Sequence, residues 1–145
     1  MNVEIISTPL SLDIYGCSGT AVGKDYAGTA FRLMERMWQA VKSNKLQHNG
    51  LNIWVYEPKE RVFAGVELEG PPGQNAGLEF KEIRLETYAY YKHVGPYQRI
   101  PQTGQEMRGE LQRSGLTIIS PYVEIYGHWT KDETKLETEL FMAIG

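Results

Sequence analysis

The stretch from Pro121 to Ile144 constrains the fold most, because its residues alternate with period two on either side of a loop. In Tyr122 to Tyr126, Val123 and Ile125 share one side, and Tyr122, Glu124 and Tyr126 share the other. In Glu137 to Ile144, Leu140, Met142 and Ile144 oppose Glu137, Glu139 and Phe141. Period two is the geometry of a half-buried strand, so the segment predicts two strands. Their second faces carry two tyrosines, a phenylalanine and three carboxylates, with no base among them. Two readings of those faces are open. Aromatic residues are good strand formers and the glutamates could simply be solvated. Alternatively, rings beside uncompensated carboxylates suit a positively charged ligand, which gains from each ring face and from the ionic partner.

The rest of the chain bounds these readings. With 145 residues, 41% of them hydrophobic and 23% charged, residues 1–145 read as a single globular domain with its own core. The net charge is −3 and the 15 basic residues form no run, which argues against direct binding of a nucleic-acid backbone. Cys17 has no partner for an internal disulfide and reads as a small buried residue. His48, His93 and His128 lack zinc spacing, so neither a metal nor a cofactor is expected. The first residues have no signal-peptide pattern and no apolar run reaches bilayer length, so a cytoplasmic protein without a membrane partner is expected. Nothing in the pattern sets the oligomeric state.

Taken in order, Val3 to Thr8 and Leu12 to Val22 read as one bent or broken strand. Phe31, Met34, Trp38 and Val41 recur at helical spacing, predicting a helix over 29–45 with Thr29 as its cap. Trp38 on that stripe reads first as core, and as a ligand contact only beside a cleft. Two alternating strands follow: Ile53 and Val55 oppose Trp54 and Tyr56, then Val62, Ala64, Val66 and Leu68 oppose Phe63, Gly65 and Glu67. The Gly/Pro-rich loop 70–77 reads as a joint. Ile83 to His93 reads as one strand with rings on both parities, and 100–114 as a helix with Pro101 in its first turn and Gly115 past its end.

Element order therefore repeats. The fold class expected is α+β: a duplicated β-α-β-β module with pseudo-repeats at about 1–70 and 78–145, antiparallel sheets, one helix per half and a ligand cleft between the halves. If the helices cover the aliphatic faces, Trp54, Tyr56, Phe63, Tyr122, Tyr126 and Phe141 are left to line that cleft, with Glu67, Glu124 or Glu139 at its base. The loop 127–136, with His128 and Trp129, is a candidate cover.

Tyr88-Ala89-Tyr90-Tyr91-Lys92-His93-Val94-Gly95-Pro96-Tyr97, Pro121 to Tyr126 and Glu137 to Ile144 resemble, in order and spacing, the GyrI-like effector-binding domains. Those domains form the drug-sensing half of some bacterial AraC-type and MerR-type regulators of transcription. The resemblance implies a multidrug-type site in which an acidic residue of the last strand, at the position of Glu139, meets aromatic cations. Trp38, Trp54, Tyr56, Tyr91 and Tyr126 are candidates for its aromatic wall, beside Phe141 and Glu124. Ala143 stands where most members have proline. The sequence leaves no room for a helix-turn-helix, so a stand-alone effector-binding protein for amphipathic or aromatic organic cations is expected, with no catalytic residues, acting alone or through a separate regulator or target protein. Two alternatives remain: a small-molecule hydrolase of the same family, with Glu139 as base or nucleophile, and a gyrase-inhibitor-like protein-interaction module.

Overall fold

The alternating segments fold as strands and the three-to-four stripes as helices in the computed structural model, which describes all 145 residues. The order is β1 (Glu4–Ile6), β2 (Leu10–Thr20), α1 (Tyr26–Ser43), β3 (Asn52–Glu57), β4 (Arg61–Val66), β5 (Glu79–Leu85), β6 (Tyr88–Val94), α2 (Ile100–Arg113), β7 (Ile118–Tyr126) and β8 (Glu137–Ile144). Helix α1 starts earlier than its stripe suggests, because the Asp25 side chain accepts from the Gly28 amide and caps it there. Helix α2 has Pro101 in its first turn, and Gly115 follows its end with φ of 76°.

All strands join one antiparallel sheet in the order β1-β6-β8-β7-β3-β4-β2-β5. The order reads the same from both ends once β1 to β4 are exchanged for β5 to β8, so each repeat contributes β-β-α-β-β. The two repeats trade their first strands: β1 pairs with β6, and β5 with β2. Two expectations are corrected by this exchange. β1 and β2 are separate strands near opposite ends of the sheet, and Ile83 to His93 is divided at Glu86 and Thr87 into strands with different partners. No glycine or proline marks that break, which is why the sequence reads as continuous.

The links then curl the sheet. β1 and β2 are six positions apart in the order, roughly 29 Å in a flat sheet, yet only Ser7, Thr8 and Pro9 join them. Such a link reaches roughly 14 Å, and that from β5 to β6, across an equal gap, is shorter still. The edges must therefore approach each other around a concave face. That face carries no helix: Ile14, Ile53, Val55, Phe63, Leu85, Val123 and Phe141, from both repeats, form one buried cluster on it. Both helices pack on the other face, α1 over Val62, Ala64 and Val66, and α2 over Ala89, Leu140 and Met142. The central pair β3 and β7 runs between them.

Close packing at the edge of this sheet depends on Gly16, where a Cβ would lie 1.9 Å from the Ala64 carbonyl oxygen of the paired strand. Gly16→Ala is expected to lower the unfolding free energy by about 1–3 kcal/mol, as for overpacked interiors. Urea denaturation measures this, and an unchanged midpoint would show that β2 and β4 can part there without cost.

Candidate functional site

The register of β3 on β7 builds the site. Trp54 stands opposite Glu124, Tyr56 opposite Tyr122, and Asn52 opposite Tyr126, all on the helix-bearing face. Glu124 is 6% exposed, and its carboxylate accepts hydrogen bonds from the hydroxyls of Tyr126 at 2.5 Å, Tyr122 at 2.6 Å and Tyr56 at 3.5 Å. Two rows of rings cross this floor. In one, Tyr122 stacks on Tyr56 at 5.6 Å and 21°, and Tyr56 meets the edge of Tyr26 from α1 at 6.0 Å. In the other, Tyr126 lies between Trp54 at 4.8 Å and Tyr97 at 5.5 Å. The guanidinium of Arg108, from α2, covers the Tyr122 ring at 5.3 Å from its centroid. A Pro-containing bulge positions these residues: from Ile118 to Tyr122, β7 advances four residues while β8 advances two.

The electrostatics follow from enclosure. Burial pushes the Glu124 carboxyl above its ordinary range, against the opposing pull of the three tyrosine hydroxyls and Arg108. Burial and the Glu124 charge together push the hydroxyls of Tyr56, Tyr122 and Tyr126 far above their ordinary range. They are donors, then, and not nucleophiles. The Trp54 Nε1–H is buried beside them without a hydrogen-bond partner, as is the Thr138 hydroxyl, whose residue pairs with Tyr126. A buried unpaired donor costs about 1–3 kcal/mol, a cost removed by any group that accepts from it.

The structure brings together Glu124, Trp54, Tyr56 and Tyr126 among the residues singled out from sequence. Trp38 stands next to them, donating its Nε1–H to Asn52 Oδ1 at 2.6 Å while its ring meets His48 at 4.7 Å. Tyr91 pairs with Leu140 and packs in the cluster beneath α2. Glu139 and Phe141 are on the concave face instead: Glu139 accepts from the Tyr90 hydroxyl at 2.6 Å, and Phe141 is buried against Tyr88 and Tyr90. The expectation that all the aromatic-acidic faces share one cleft is thereby corrected, Phe63 also falling on the concave side. Alternation within each strand is right, but Trp54 pairs with Ala64 and Glu124 with Leu140, so the aromatic rows of β3 and β7 lie beside the aliphatic rows of β4 and β8. Tyr26 and Arg108 had no signal in the sequence, since each sits outside the alternating strands, and Tyr97 entered only as the last residue of the 88–97 block. Tyr122 did, at i−2 from Glu124.

A cavity of about 550 Å³ lies at the C-terminal end of α1, lined by Trp38, Val41, Lys42, Lys45, Leu46 and His48 among others. Its lining contains no carboxylate, and Trp38 and Leu46 of that lining pack in the same cluster as Trp54 and Tyr56. No helix is long and apolar enough to cross a membrane.

An antiparallel α+β domain whose two helices flank a floor of rings around a few polar groups has the build of a small-molecule binding domain. The family model described as the GyrI-like small molecule binding domain matches residues 12–144, and the chain belongs to that family. Among solved structures, SAV2435 bound to tetraphenylphosphonium is similar with a TM-score of 0.67 at 17% identity, over 100% of this chain and 94% of that one. The EcmrR C-terminal domain gives 0.76 at 16% identity, covering 100% and 99% of the two chains. A hydrolase from Listeria innocua gives 0.54 at 15% identity, covering 99% and 91%. At these identities the likeness is one of fold. No curated protein matches the sequence.

Because the Glu124 carboxyl is raised in the folded state, the stability it contributes is fully present below its ordinary value of 4.5 and is lost as pH rises through the raised value. The unfolding free energy of the wild type minus that of Glu124→Gln is therefore expected to fall as pH rises from about 4 toward neutrality. Chemical denaturation across that range checks it; a difference that rises with pH would mean that the hydrogen bonds outweigh burial.

Proposed function

We propose that this domain binds aromatic or amphipathic organic cations on the floor between its helices, with Glu124 as the anionic contact and Trp54, Tyr56, Tyr122 and Tyr126 as the ring surface. The observation that carries this reading is a single buried carboxylate ringed by aromatic faces and raised toward neutrality by its enclosure. A cation that stacks on the rings supplies the charge that burial denies the carboxylate, and each ring face adds about 0.5–2 kcal/mol. Trp38, Lys42 and His48 rim the neighbouring cavity rather than this floor. Support also comes from SAV2435, a protein of similar fold whose structure was solved bound to tetraphenylphosphonium, a cation of this class.

Binding takes precedence over hydrolysis here because the tyrosine hydroxyls donate to Glu124 and are held far from ionisation, which leaves no activated nucleophile on the floor. A domain of this kind senses or sequesters its ligand in the cytoplasm and passes its bound state to a separate regulator or target protein.

Calorimetric titration with tetraphenylphosphonium tests the reading. Glu124→Gln is expected to weaken binding by about 1.5–3 kcal/mol, the range for contacts to a charged group, while Glu139→Gln leaves it unchanged. Loss of binding in the Glu139 variant with retention in the Glu124 variant would move the site to the concave face, and no binding by the wild type would end the cationic reading. Wild-type affinity should also rise with pH as Glu124 ionises.

A further inference from the structure

Arg108 is the one arginine whose guanidinium lies over an aromatic ring. It takes part in none of the six ion pairs of the molecule. Its helix neighbours at three and four residues are Gly104, Gln105, Leu111 and Gln112, so no acid on α2 holds it. It is exposed, yet its guanidinium is placed over the Tyr122 ring, on the side of α2 where Gly104, one turn earlier, approaches the Tyr122 hydroxyl. The same ring donates its hydroxyl to Glu124 and stacks on Tyr56. Arg108 is thus a cation on an aromatic face next to a buried carboxylate, which is the arrangement expected of a cationic ligand.

We propose that Arg108 is the resident cation of this site, which an organic cation must displace from Tyr122, so that Arg108 sets which cations bind. This inference rests on the cation-binding reading given above. A small, strongly hydrated ammonium offers the ring little more than the guanidinium does and must shed more water. A bulky aromatic cation covers several rings at once, carries its charge weakly hydrated, and wins the exchange. The ligand class is therefore large delocalised aromatic cations. Arg108 filters out small ammonium compounds by competition for the ring and by repulsion of like charge.

The experiment compares the wild type with Arg108→Met, which keeps the apolar stem and removes the charge, and with Arg108→Ala, which clears the ring. Titrants are tetraphenylphosphonium, methylammonium and the neutral triphenylphosphine oxide, with Glu124→Gln as the control for the site itself. Both Arg108 variants are expected to bind tetraphenylphosphonium roughly two- to tenfold more tightly, with no gain for the neutral compound. The gain for methylammonium should be at least as large. In nuclear magnetic resonance spectra of the wild type, the Arg108 Nε–H signal should be displaced by the Tyr122 ring current and return toward the position of a free arginine on saturation with tetraphenylphosphonium.

Equal or weaker cation binding by both variants, with Glu124→Gln still impaired, overturns the role of Arg108 and leaves the cation site standing. An equal gain for the neutral compound also overturns it, since Arg108 would then be a steric cover only. An Arg108 signal unmoved by saturation does the same. Absence of cation binding in the wild type and in both variants removes the cation reading and this inference together, whereas binding that emerges only in the variants supports both.

Discussion

The pairing of β3 with β7 is the constraint on which the rest of the molecule depends. Without it, the sheet would fall into two four-stranded halves, β1-β6-β8-β7 and β3-β4-β2-β5, each with a helix on one face and each holding the first strand of the other repeat. With it, strands from both repeats become neighbours at the centre of a single sheet, and Trp54 and Tyr56 are set opposite Glu124 and Tyr122. Because the helices pack over the flanking strands, this central pair is the part of the helix-bearing face that neither helix covers fully. The exchange of first strands and their short links fixes the curl, which gathers the aliphatic residues of β3 and β7 into a core on the concave side. The proposed site thus lies on the back of a closed core, and its floor cannot shift without disturbing residues such as Ile53, Val55 and Val123, which are wholly buried.

On that floor two effects oppose each other at one carboxylate. Removing an ion from water costs several kcal/mol even after relaxation, and hydrogen bonds to a charged group return about 1.5–3 kcal/mol each. Three tyrosine donors therefore come close to balancing the burial of Glu124 without overcoming it, as the raised carboxyl indicates. What is missing is a positive charge in contact. Arg108 supplies a distant one, across the ring of Tyr122 and exposed to solvent, so screening leaves it weak. On the cation-binding reading proposed above, a preformed floor with a charge left under-compensated suits a cation, and rings held by mutual contact lose little freedom on binding one.

Much of this was legible in the sequence, and the limits have definite causes. Period two placed β3, β4, β7 and β8, and helical spacing placed α1 and α2, because burial on one face writes itself into adjacent residues. The order of elements revealed the two repeats. Register is different in kind: it is a relation between strands, and a shift by one residue exchanges the faces. Nothing in Trp54-Val55-Tyr56 says that its aromatic face will join the aliphatic face of Val62-Phe63-Ala64. The exchange of β1 and β5 was hidden for a similar reason, since a strand's partner is set by topology, and Glu86 with Thr87 offers no turn signal. Arg108 could not be found at all, because an arginine on a solvated helix face is the commonest of features until the ring beneath it is known.

The proposal of Glu124 over Glu139 as the anionic contact rests on that parity. Glu124 pairs with Leu140 and Glu139 with Ile125, so the two are near neighbours in the sheet and separated by its thickness. On the concave side, Glu139 accepts from Tyr90, pairs in register with Lys92, and shares a rim with Glu137 and Glu4, whose charges act on the same Tyr90 hydroxyl. Lys92 is already ion-paired to Glu137 at 3.4 Å, so positive charge is at hand there and water reaches both partners. A bulky aromatic cation gains little in such a place, because the attraction is screened and few rings are free to cover it. Around Glu124, water is excluded, Tyr122 and Tyr126 donate from either side, Tyr122 stacks on Tyr56, and no base is in contact. The same charge is worth far more to a ligand there, and the ligand best suited to use it is one whose own charge is spread over apolar surface.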